Sequence, residues 1–149
     1  MSQGLVLPCA SCGQKNRIPP GRLGDRARCG RCQQTVHEPG AVLAVDRDDE
    51  LQALLAAADV PVLIDFWAPW CGPCRAVAPE VAKVSARHAA DVLVLKVNTD
   101  EVPGPPTKFG IQGIPAFVVF RNGAEVARQA GMMPFERMKA WVDGATTLM

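Results

Sequence analysis

The sequence predicts an α/β protein, a mixed central sheet flanked by helices on both faces, with a small cysteine-rich module in front of it. Three observations lead there. Apolar runs rich in β-branched and aromatic residues recur over 60–68, 92–98 and 116–121, as expected of buried strands. Between and after them, apolar residues return at helical spacing. Ahead of them, the polar stretch 1–40 contains Gly and Pro, holds two close Cys-x-x-Cys pairs and has little apolar periodicity.

Each element follows from its residues. Glu38-Pro39-Gly40 reads as a turn or linker, which divides the chain into a module over 1–40 and a domain over 41–149. Residues 41–45 form a first strand, and Asp46 to Asp49 supply caps and first-turn acids for a helix with Leu51, Leu54 and Leu55 on one face. Residues 60–68 form a central strand. From 71 to about 89 the spacing predicts a helix with Val77, Val81 and Val84 inward and a kink at Pro79. Residues 92–98 give a second buried strand. Val102-Pro103-Gly104-Pro105-Pro106 is too proline-rich for an ordinary helix and reads as an irregular connection or short turn. Asn122-Gly123, between 116–121 and 125–129, is a two-residue hairpin signal. A last helix from Pro134 carries Phe135, Met138, Trp141 and Val142. This order implies a β-α-β crossover, an antiparallel hairpin and a terminal helix.

Composition narrows the function. The 149 residues carry 16 Lys and Arg against 15 Asp and Glu, which argues against bulk capture by nucleic acid or an anionic membrane. The balance is uneven: residues 1–40 sit near +4 and the remainder near −3. Residues 1–40 hold no aromatic side chain for base stacking. No apolar run approaches the roughly 18–20 residues that span a bilayer. The first eight residues lack a basic region and a long apolar stretch, so no signal peptide is read there and a cytoplasmic location is the expectation. Six cysteines in a reducing compartment point to metal binding or catalysis before structural disulfides.

The third pair, Cys71 and Cys74, stands just past a buried strand and at the opening of a helix. Unpaired N–H groups and the positive dipole end there stabilise a thiolate and lower its pKa. Two intervening residues bring the second sulfur within one turn, and Pro73 suits the helix start. Cys71 is therefore the expected exposed attacker and Cys74 the more buried resolver. A metal half-site or two ordinary core cysteines are the competing readings.

The segment Val62-Leu63-Ile64-Asp65-Phe66-Trp67-Ala68-Pro69-Trp70-Cys71-Gly72-Pro73-Cys74-Arg75 resembles the active-site segment of the thioredoxin family. Phe109-Gly110-Ile111-Gln112-Gly113-Ile114-Pro115 resembles that family's segment ending in a cis-proline, and Phe120-Arg121-Asn122-Gly123 and Gly131 fall where its pattern expects them. The resemblance covers roughly 41–149 and implies the thioredoxin fold and protein-disulfide reduction. It implies a raised pKa for a buried Asp65, which would take the proton from Cys74, with Lys96 tuning that carboxylate. It further implies a cis bond before Pro115, whose Ile114 backbone would pair with an extended substrate. Trp70, Gly72, Pro73, Ile114, Pro115, Ala130 and Gly131 would surround Cys71 as a flat apolar surface, and Met132 and Met133 would add adaptable contacts or simply pack. Trp67, Phe117, Val118, Val119, Phe120 and Trp141 read as packing residues. Such a protein carries electrons in cell redox homeostasis by thiol exchange. It acts on protein disulfides and is recycled by an NADPH-dependent thioredoxin reductase. No nucleotide-binding glycine loop is present, so no bound nucleotide is expected, and a monomer is. Gly72-Pro73 resembles reducing members, whereas an isomerase or oxidant shares the fold and differs in redox poise.

Cys9-Ala10-Ser11-Cys12 and Cys29-Gly30-Arg31-Cys32 are separated by sixteen residues, inside the range of four-cysteine zinc sites. Two such knuckles bring four thiolates to a tetrahedral centre, with Gly13 and Gly30 easing the turns. So small a segment lacks a core, and a structural Zn(2+) would supply on the order of 10–16 kcal/mol of apparent binding. Two auxiliary disulfides or an iron centre would use the same ligands. His37 is not needed as a fifth ligand, and His88 reads as a surface helix residue. A zinc ribbon before such a domain resembles the thioredoxin-2 type of bacterial thioredoxins. A redox-responsive role for the ribbon, by metal ejection on oxidation, is the remaining alternative.

Overall fold

The computed structural model describes residues 5–19, 25–38, 40–58, 60–88 and 91–147. Pro39 of the expected linker and Ala89 at the expected end of a helix lie outside the described residues.

The N-terminal region holds more regular structure than its sequence suggested. Strand β1 (Leu5–Pro8) pairs antiparallel with β2 (Lys15–Ile18), and β3 (Ala27–Arg28) pairs with β4 (Thr35–His37). Each hairpin turns through one Cys-x-x-Cys pair. Strands of two to four residues are too short to display an alternation, which is why no pattern marks them.

The main sheet has the order β5-β7-β6-β8-β9, formed by β5 (Leu43–Val45), β6 (Val62–Trp67), β7 (Leu93–Asn98), β8 (Ala116–Arg121) and β9 (Ala124–Ala130). Strands β5, β7 and β6 run parallel, while β8 and β9 are antiparallel additions. The sheet is mixed, as the β-α-β crossover followed by a hairpin requires. Asn122 and Gly123 both take left-handed backbone angles, φ +53° and +80°, the geometry that suits a tight turn between twisted strands.

Helices cover both faces. Leu51, Leu54 and Leu55 of α1 (Asp48–Ala57) pack with Ile64, Phe66, Leu95, Val97 and Phe120. On the other face, Val77, Val81 and Val84 of α2 (Gly72–Arg87) meet Leu63, Val94, Phe117 and Val119, together with Met138 and Val142 of α4 (Phe135–Thr147).

Three local expectations change, and one open choice is decided. The N-cap of α1 is Arg47, with no side-chain capping bond, so Asp48, Asp49 and Glu50 act as first-turn charges and Asp46 is no cap. The proline-rich segment forms a five-residue helix, α3 (Gly104–Lys108), because Pro105 falls in the first turn, where its missing N–H is harmless. His88 is largely enclosed: as C-cap of α2 it places Nε2 2.7 Å from Asp143 Oδ1 of α4, a tie between the two helices on that face. Met133 is buried, which leaves only Met132 of that pair exposed.

Leu7 and Ile18 of the first hairpin join the α1-side core rather than forming one of their own. Ile18→Ala is therefore expected to destabilise the whole chain by about 2–4 kcal/mol, read as a lower guanidinium midpoint followed by tryptophan fluorescence. An unchanged midpoint would show that the hairpin contributes nothing to that core.

Candidate active site and metal centre

The redox pair is placed by the end of β6. Ala68, buried beyond the strand, accepts the Cys71 N–H at 3.1 Å and closes the turn that begins α2. Cys71 is the N-cap of α2, with extended backbone angles, and its Sγ accepts the Cys74 N–H at 3.2 Å. The two cysteines are disulfide-bonded, their Cα atoms 5.2 Å apart. The same N–H would stabilise a Cys71 thiolate after reduction, and no acidic residue in the first turn opposes it. Both cysteines are buried in this oxidised form, Cys71 at 4% exposure and Cys74 at 2%. The expectation of an exposed attacker is therefore not met here, because Trp67, Ala68 and Ile114 pack against the two cysteines.

The Ile114–Pro115 bond is cis, and the Ile114 carbonyl oxygen lies 3.9 Å from Cys71 Sγ. The Pro115 carbonyl accepts the Gly131 N–H at 2.8 Å, which joins this ledge to the end of β9. Gly131 has φ +91°, a conformation that favours glycine. Of the expected contact surface, Trp70, Gly72, Pro73 and Ala130 are exposed and Ile114 and Gly131 partly covered; Met132 is exposed. Pro115 is buried, contrary to its expected place on that surface, because it leads directly into the buried strand β8. Trp70 is 67% exposed, yet its Nε1 donates to Asp100 Oδ1 at 3.2 Å, and Asp100 N–H in turn bonds Asn98 Oδ1 at 2.9 Å. Sequence reasoning does not reach Asp100: thirty residues separate it from Trp70, and no local pattern marks such a pair.

Asp65 lies between Leu63, which packs under α2, and Trp67, which packs against the cysteines; the alternation of a strand puts all three on one face. It is buried, and its Oδ1 has no hydrogen-bond partner among the described residues. Burial pushes its pKa up from 3.8 to about 7, opposed in part by Lys96. Lys96 stands opposite Asp65 in the β6–β7 register, with Nζ 5.4 Å from the Trp67 ring centroid, so its charge is shared between a carboxylate and an aromatic face.

The other four cysteines converge. Their sulfur atoms all lie within 4.8 Å of one another, with Cys9–Cys32 at 3.5 Å and Cys12–Cys29 at 3.6 Å. Tetrahedral zinc with Zn–S near 2.3 Å demands sulfurs about 3.8 Å apart, so the four thiols fit such an ion. The two knuckles share one backbone design: Cys9 N–H bonds Gln14 O at 2.8 Å, and Cys29 N–H bonds Gln34 O at 2.7 Å. The left-handed position after each second cysteine is Gly13 (φ +79°) in one and Gln33 (φ +70°) in the other. Gly30 is not that position, contrary to expectation. Instead its N–H donates to Asn16 Oδ1 at 3.0 Å, a link between the hairpins. Backbone N–H groups, that of Cys32 foremost, hold the Cys29 thiol down to about 6, and Cys9 is lowered likewise. Hydrogen bonding among the four sulfurs, by contrast, helps push Cys12 up to about 12 and raises Cys32, so without an ion the four thiols do not ionise together. His37 is buried and outside the sulfur cluster.

Comparison with known proteins gives the same division. The family described as Thioredoxin matches residues 42–144, and the family described as Thioredoxin 2, N-terminal matches residues 8–34. Thioredoxin C-3 of Corynebacterium nephridii is 34% identical over 143 residues, covering 93% of this chain and 94% of that protein. Thioredoxin 1 of a Nostoc species is 48% identical over 77 residues, covering 52% of this chain and 72% of that protein. Among solved structures, a point-mutant thioredoxin from Halobacterium salinarum superposes with a TM-score of 0.67 at 30% identity, covering 75% of this chain and 96% of that one.

The Asp65 environment has a measurable consequence. A carboxyl whose pKa rises from 3.8 to about 7 on folding favours the folded state below pH 4 relative to higher pH, and that advantage is lost as pH rises through 7. In the oxidised protein, Asp65→Asn is thus expected to raise stability at pH 8 by up to the order of 4 kcal/mol, with the gain shrinking to nothing near pH 4. Denaturant midpoints across that range are the measurement; a gain independent of pH would contradict it.

Proposed function

Because the chain belongs to the thioredoxin family, and so is a thiol–disulfide oxidoreductase, we propose that it is a general reductant of protein disulfides in which Cys71 attacks and Cys74 resolves. The single observation that carries this reading is the Cys71–Cys74 disulfide at the start of α2, beside the cis Ile114–Pro115 ledge.

The reaction needs two exchanges. Cys71 thiolate attacks one sulfur of the target disulfide, forming a mixed disulfide and expelling the other sulfur as a thiolate that takes up a proton. The Cys74 thiol gives its proton to the Asp65 carboxylate, whose raised pKa fits it as acceptor near neutral pH. Cys74 then attacks Cys71 Sγ and expels the second target sulfur. Two electrons pass to the target, and the Cys71–Cys74 bond is restored. Lys96 moderates the Asp65 pKa. Trp70, Gly72, Pro73, Ala130 and Gly131 form the contact surface, and the Ile114 backbone beside Pro115 pairs with an extended segment of the target. An NADPH-dependent thioredoxin reductase returns the pair to the dithiol.

Residues 1–40 act as a metal module before the redox domain at 41–149, with whose core its first hairpin packs through Leu7 and Ile18. Cys9, Cys12, Cys29 and Cys32 would hold one Zn(2+), which joins hairpins too small to supply their own core. With four thiolate ligands the ion is structural. The cytoplasm is the fitting compartment, since it keeps these thiols reduced, and among the described residues no helix is long and apolar enough to cross a membrane. The chain works as a monomer.

Insulin reduction with NADPH and thioredoxin reductase tests the reading. Cys71→Ser is expected to lose at least about a hundredfold in rate, and Cys74→Ser to accumulate a mixed disulfide with the target, visible as an added mass. Full activity in Cys71→Ser would remove the reading altogether. Metal analysis of the same sample should return one zinc per chain, lost on Cys29→Ser, and chelation should lower the Tm.

A further inference from the structure

The substrate ledge hangs on a segment that is tied to β9 at its two ends and rests on the α1-side core through Ile111 and Ile114 between them. At the near end the Pro115 carbonyl accepts the Gly131 N–H. At the far end, Arg128 of β9 donates from Nη2 to the Phe109 carbonyl at 2.6 Å. Between these ties, residues 110–114 bend through Gly110, whose φ is +68°. Their hydrogen bonds at Gly110 and Ile111 run back to Thr107 and Pro106 of α3, not to the sheet. A recess of about 180 Å³, lined by Gly110, Gln112, Gly113, Gln129 and Ala130 among others, separates the segment from β9. Ile111 and Ile114 pack toward the α1-side core, so what holds the segment to β9 itself is the two ties.

The far tie is preorganised. Glu125, three residues before Arg128 on the same strand, takes Nε and Nη2 of the guanidinium at 2.9 and 2.8 Å. This fixes the planar group so that the remaining Nη2 donor points at the Phe109 carbonyl. Phe109 is held in turn by its ring, 5.2 Å from that of Phe120 and 6.2 Å from that of Phe66. Both Arg128 and Glu125 are more than a third exposed, so as an ion pair they add little to stability. Their arrangement makes sense as alignment.

We propose that Arg128 is a positioning residue for the exchange reaction, setting the Gly113–Ile114 backbone that receives the target peptide. This rests on the reading of the chain as a protein-disulfide reductase. It also specifies where the effect falls. A target that lies along the ledge feels a misplaced backbone, whereas a small disulfide that reaches Cys71 without pairing does not.

The test uses the full reduced chain in single turnover, with insulin and with the small aromatic disulfide 5,5′-dithiobis(2-nitrobenzoate). For Arg128→Leu, the insulin concentration at half-maximal rate is expected to rise about five- to tenfold, with the limiting rate and the small-disulfide rate within about twofold of wild type. Arg128→Lys, which still reaches the carbonyl, should recover most of the loss. If Arg128→Leu does not fold, Arg128→Gln against Arg128→Lys makes the same comparison. Unchanged insulin dependence, or equal losses on both disulfides, would overturn the assignment. Failure of the reductase reading is seen separately, as activity that survives Cys71→Ser.

Discussion

The burial of β6 on both faces is the constraint on which the rest of the molecule depends. Val62, Leu63, Ile64 and Phe66 are essentially inaccessible, with β7 on one side and β8 on the other. A strand so enclosed cannot shift register without turning its whole apolar set to the wrong face. Its end is consequently fixed, and with it the turn through Ala68 and the first residue of α2. The reactive sulfur inherits its place from that chain of supports. The cis-proline ledge enters β8, the direct neighbour of β6, so both halves of the site are referenced to one strand.

The same burial produces the carboxylate. Asp65 occupies the one position of β6 that interrupts the apolar run, and the surroundings that secure the strand are what raise its pKa to about 7. Its Oδ1, without a hydrogen-bond partner among the described residues, stands for free energy that the fold forgoes. Lys96, facing it across the register, keeps the shift from growing, because a nearby cation favours the charged form. Stability and proton transfer pull against each other at this residue, and the strand is rigid enough to carry the conflict.

Much of this was legible in the sequence for a physical reason. Strands β6, β7 and β8 are each six residues long and largely apolar, and α2 repeats Val at helical spacing, so periodicity alone placed them. The strand–Cys-x-x-Cys–helix order then located the thiol. What escaped has no local signature. The hairpins of the N-terminal region are shorter than one clear alternation. The Trp70–Asp100 bond joins residues thirty apart, and the Arg128–Phe109 tie residues nineteen apart. Gly30 looked like a turn glycine from its place between two cysteines, yet the left-handed angle fell on Gln33, since the knuckle reverses after the second cysteine.

That reversal explains how one Cys-x-x-Cys motif serves two chemistries. After Cys12 and Cys32 the chain turns back into a strand, so the knuckle presents two sulfurs outward to meet two from the other hairpin. After Cys74 the chain continues as helix, which pairs the two sulfurs with each other and directs the helix N–H groups to Cys71. The two centres are joined by packing. Leu7 and Ile18 of the first hairpin belong to the α1-side core, and Ile114 packs against both that core and the disulfide cluster. The first hairpin and the ledge are therefore built on one continuous core, although the four cysteines of the hairpins and the reactive pair stay in separate clusters.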